Sequence, residues 1–163
     1  MFRFISSSIK NYFTFRSLNK RGFYLFRTDS NSTDGLALYI RSKNFPALSG
    51  SREEAESLVY LLKAEEKKTL LDSPNSKAAA DSFWLNIGGS NLRAINLASV
   101  YNKRVVEANT FFSSYLEGWK SDRGMIWIIF GKPKMVIKST HSESWTYGDN
   151  REKPELIFVF TKN

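Results

Sequence analysis

A chain of 163 residues, 42% hydrophobic and 15% aromatic, can fill one core or a small domain plus an extension, and it is too apolar for global disorder. It contains no cysteine, which excludes disulfides, thiolate metal sites and a cysteine nucleophile. The net charge of +8 is unevenly placed: residues 1–46 hold eight Lys/Arg against Asp29 and Asp34, and the rest of the chain holds 16 basic and 14 acidic residues. A basic segment suits nucleic acid, an anionic lipid surface or an acidic protein face, and equally a solvated surface. No run of 18 apolar residues occurs, so no segment reads as a membrane-spanning helix.

The first 28 residues lack an acid and are rich in Ser, Phe and Arg, a composition shared with transit peptides. Their paired aromatics, as in Phe13-Thr14-Phe15-Arg16, alternate at the strand period, so short β-strands are expected instead. Further strands are expected at Phe23–Phe26 and Leu36–Ile40, separated by the turn-rich stretch 28–35. Residues 1–46 then form a basic, strand-rich segment, the end of a β-domain or an extension.

At residue 47 the pattern changes to an α+β domain running to 163. Ser51-Arg52-Glu53-Glu54 has the form of a capping box. Leu58, Leu61 and Leu62 follow at helical spacing, and Ala64–Leu71 continues as helix until Ser73-Pro74-Asn75. Ala80, Phe83, Trp84 and Ile87 predict a helix that starts near Ser76 and ends at Gly88-Gly89. A long helix is expected from Asn91 to Glu117, stopped by Gly118, with Tyr101, Val105, Ala108 and Phe112 on its apolar stripe. Met125–Phe130 is apolar at every position and predicts a central, covered strand. Gly131-Lys132-Pro133 is the following turn, and strands are expected at Met135–Ile137, Trp145–Tyr147 and Leu156–Phe160. The fold class is therefore α+β: one long helix packed on a small, mainly antiparallel C-terminal sheet.

Gly118-Trp119-Lys120-Ser121-Asp122-Arg123-Gly124, the apolar run after it and Gly131-x-Pro133 resemble the signature of the GWxTD domain, found in cell-envelope proteins of Bacteroidota. Ser121 stands where the family pattern has threonine. Phe45-Pro46, Phe83-Trp84, Tyr101-x-x-Arg104 with Asn109, and Trp145-x-Tyr147 are similar to flanking family elements, so the resemblance spans about residues 45–161. It implies a location on the periplasmic face or surface of the outer membrane, often in lipoproteins with an N-terminal β-domain, with any lipid-bearing cysteine upstream of this chain or absent. It implies no activity.

Each signature residue has an expected structural task. Gly118 takes positive φ to end the long helix, Trp119 covers the helix–sheet seam, and Ser121 or Asp122 accepts turn amides. Arg123 pairs with a carboxylate, Gly124 lets strand and helix approach, and Arg104 reaches Asp122 or another acid. The competing reading makes Asp122 and Arg123 a binding corner. Catalytic groups are sparse. His141 is the only histidine and lies in a polar loop, and Ser7-x-x-Lys10 and Ser17-x-x-Lys20 lack companion motifs. No cofactor, metal site or small-molecule substrate is expected.

The function expected is a non-catalytic protein-interaction or structural subunit of a cell-envelope complex, in outer-membrane protein assembly or export, with a protein partner. Membrane contact would be indirect, or through an anchor outside this chain. The alternatives are nucleic-acid binding through the basic aromatic segment and a hydrolase using Asp122, Arg123 and His141.

Overall fold

The computed structural model describes residue 18, residues 20–27, 29, 31, 33–148 and 156–161, and the backbone of 3–5. The strand expected at 13–16 lies outside them. The chain divides into two compact units, Met1–Phe45 and Pro46–Asn163. Across the described residues the class is α+β.

The first unit contains β1 (Arg3–Ile5), β2 (Gly22–Phe26) and β3 (Leu36–Ile40). β1 runs parallel to β2 and β3 antiparallel to it. Tyr24 is buried, and its hydroxyl donates to the Lys20 carbonyl at 2.6 Å.

The second unit opens with α1 (Ser51–Ser57), which passes into a 3₁₀ turn at Leu58–Tyr60, and α2 (Ala64–Asp72). The capping box expected from Ser51 and Glu54 does not form. Gly50 is the N-cap at φ 119°, which places Ser51 inside the first turn. Glu53, rather than Glu54, reaches back to accept from Ser49 N at 2.6 Å. α3 (Ser76–Gly88) is capped by the Asn75 side chain, which accepts from Ala78 N, and ends at Gly89 in the left-handed region. That is the start and stop its sequence predicts.

α4 (Asn91–Phe112) is capped by Ser90 and is shorter than expected. Ser113 turns extended at φ −67°, ψ 135°, and its hydroxyl accepts from Gly118 N at 2.8 Å. Gly118 therefore does not stop α4; it opens a separate 3₁₀ turn, Gly118–Lys120.

The segment read as a central strand is a helix, α5 (Asp122–Phe130). A six-residue run apolar at every position, Met125–Phe130, fits either a covered strand or a buried helix. The local cap decides: the Ser121 hydroxyl accepts from Gly124 N at 3.1 Å, and Asp122 lies in the positive first turn. Beyond its first turn α5 is apolar because it is covered on two sides. Ile128 enters a cluster with Ala55, Leu58, Leu70, Ala80, Tyr101 and Val105, contributed by the helices. Ile126, two residues earlier and so on the opposite side of α5, packs with Trp145 and Tyr147 of the sheet.

That sheet is β4 (Met135–Lys138), β5 (Ser142–Tyr147) and β6 (Leu156–Thr161), antiparallel in sequence order. Met135–Lys138 thus pairs with β5, and nothing strand-like precedes it across the Gly131–Pro133 turn. Glu143, Trp145 and Tyr147 alternate onto the covered face of β5. Phe158 and Phe160 join them, while Ile157 and Val159 are exposed. Phe112 closes the far end of the cluster, with its ring 5.3 Å from that of Trp145.

Candidate functional site

The signature residues gather around the two ends of α5. At the N-terminal end three backbones meet with no side chain between them. A Cβ on Gly118 would lie 1.9 Å from the Ala108 carbonyl oxygen, and one on Gly124 would lie 1.9 Å from the Gly118 carbonyl oxygen. Neither glycine is among those with positive φ. Gly118 is therefore needed for close approach to α4 rather than for a left-handed helix end, and Gly124 brings two helical turns, not a strand, into contact.

Asn109 fastens the same end. It is buried on α4, its Nδ2 donates to the Pro46 carbonyl at 2.8 Å, and its Oδ1 accepts from Trp119 N at 3.1 Å. One amide thus joins the entry of the unit, α4 and the signature turn, and both ends of the side chain are bonded, as burial requires. The Ser121 hydroxyl donates to the Gly118 carbonyl at 2.7 Å while capping α5. A hydroxyl is all this needs, so serine serves in the threonine position.

Trp119 does not cover the helix–sheet seam. It is buried in the helical cluster, edge-on to Tyr60 at 6.3 Å. The Tyr60 hydroxyl donates to the Trp119 carbonyl at 2.7 Å, and the Lys120 ammonium lies 5.0 Å from the Trp119 ring centre. Burial raises the Tyr60 pKa, and the Asp122 carboxylate raises it further. Trp84 packs beside Phe83 and Tyr101 in the same cluster. The Tyr101 hydroxyl donates to the Ser57 carbonyl, and burial raises its pKa as well.

At the C-terminal end of α5, Arg104 does not pair with Asp122. Its guanidinium donates to the carbonyls of Ile128 and Ile129, at 3.0 and 2.9 Å. These belong to the last turn of α5, where carbonyls lack helical partners and the dipole is negative, so a cation is held there without a carboxylate. A Cβ on Gly131 (φ 78°) would sit 3.0 Å from Arg104 Nη2. The Tyr147 hydroxyl donates to the Gly131 carbonyl at 2.9 Å, and Pro133 is buried beside the turn. Burial pushes the Tyr147 phenol up to about 12, opposed in part by Arg104.

Arg123 finds its carboxylate in Glu143, at 3.3 Å, and lies over the Phe112 ring. Glu143 is buried at 5% exposure on β5 and also accepts from Trp145 Nε1 at 2.7 Å. Sequence reasoning missed it by placing it in the loop before Trp145. The signal was its spacing: a residue two before a buried tryptophan in a strand shares its face. A second missed acid, Glu107, accepts from Trp127 Nε1 at 2.9 Å. Asp122 is exposed in the first turn of α5, and His141 is exposed in the β4–β5 turn, so the hydrolase residues sit on different elements.

Among the described residues no three His, Asp or Glu side chains group as a metal site, and no helix is long and apolar enough to cross a membrane. In the first unit the Phe23 and Tyr39 rings stack on each other at 4.3 Å, and the Arg41 guanidinium lies over Tyr39 and Phe45. Phe23, Tyr39 and Phe45 thus each have a ring face against another ring or a cation.

The family described as the GWxTD domain matches residues 22–163. Neither a curated protein nor a solved structure matches the chain.

Proposed function

The chain belongs to the GWxTD domain family, and from that premise we propose that it is a non-catalytic interaction or structural subunit of a cell-envelope complex. The complex is associated with the outer membrane on its periplasmic side, and its work is assembling or exporting outer-membrane proteins. One observation carries the non-catalytic part. The polar signature side chains of Arg104, Asn109 and Ser121 bond to the backbone of their own chain, and Arg123 bonds to a buried carboxylate of it. Groups committed in this way account for their identity as fasteners of α5 rather than as reagents. The compartment rests on the family's occurrence in envelope proteins.

Affinity capture of the full-length protein from an envelope extract, followed by mass spectrometry, tests the reading. One or a few outer-membrane proteins recovered in fixed ratio are expected. A protein that emerges bare at physiological salt would overturn it.

A further inference from the structure

We draw no further inference here: the strongest candidate, the aliphatic outer face of the β4–β6 sheet formed by Met135, Ile137, Ile157 and Val159, is exposed, and nothing in the structure shows what covers it.

Discussion

The two halves of α4 live in different surroundings. From Arg104 to Phe112 its side chains reach α5, the signature turn and the sheet cluster: Arg104 to two carbonyls, Glu107 to Trp127, Asn109 to Pro46 and Trp119, and Phe112 to Trp145. From Asn91 to Val100 the helix buries only Ala94 fully and leaves Leu92, Ile95, Leu97 and Val100 exposed. One continuous helix thus carries a half whose residue identities are fixed by internal bonds and a half whose identities are not. The first of these halves fastens α5 and the signature turn, and the second packs on α3 through Ala94 with most of its side chains facing outward.

The sharpest way to break this contrast is at the glycines. Gly118→Ala or Gly124→Ala drives a methyl group into a carbonyl oxygen with backbone on both sides, so nothing can rotate away. The expected cost exceeds about 3 kcal/mol, and an unfolded product by circular dichroism is the expected result. A Tm within a few degrees of wild type would show that the three backbones can separate.

Asn109→Ala should cost about 2–4 kcal/mol, since it leaves the Trp119 N–H and the Pro46 carbonyl without a partner. Asn102→Ala, exposed in the same helix, should change stability by about 0.5 kcal/mol or less. Equal effects in urea titrations would erase the distinction between the two halves. Arg104→Ala should cost about 1–2 kcal/mol by uncapping α5, and Arg104→Lys should recover part of that. If both variants melt like wild type, the fastening of the α5 carbonyls contributes nothing.

The Tyr147 contact has a signature in pH. Its folded pKa is about 12 against an ordinary 10.0, because burial disfavours the phenolate. Below pH 10 both states hold the proton and the contribution is fully present. Between about 10 and 12 only the unfolded chain releases it, so stability falls across that window. Tyr147→Phe should flatten this fall when urea midpoints are compared at successive pH values, and an unchanged slope would assign the fall to other tyrosines. The smallest effect belongs to the other half of α4. Leu92→Gln and Ile95→Gln should each shift the stability of the isolated chain by no more than about 0.5 kcal/mol.

Sequence reasoning reached some of this and not the rest. α3 is legible because its apolar periodicity runs between a Ser-Pro-Asn break and a glycine stop, and the family is legible because several separated elements occur in order. The strand expected at Met125–Phe130 failed because covering on two sides removes the periodicity that separates helix from strand. The deciding signal, Ser121 three residues before Gly124, was read as a turn. Arg104 was assigned to a carboxylate because side chains are visible in a sequence and helix-end carbonyls are not. Glu143 was overlooked because acids are ordinarily solvated, and only its place two residues before Trp145 marks it as facing inward. Asn109 was singled out, but its partners lie 63 and 10 residues away, at backbone atoms that no side-chain pattern reveals.

The stack of Ala108, Gly118 and Gly124 has a mechanical consequence. A hinge needs a layer that can slide, and layers slide on side chains that change rotamer. At this corner peptide planes rest directly on one another, so there is nothing to act as a bearing. α4 and α5 are welded through the signature turn and move as one body, while the sheet rests on α5 through side chains such as Ile126 and Trp145.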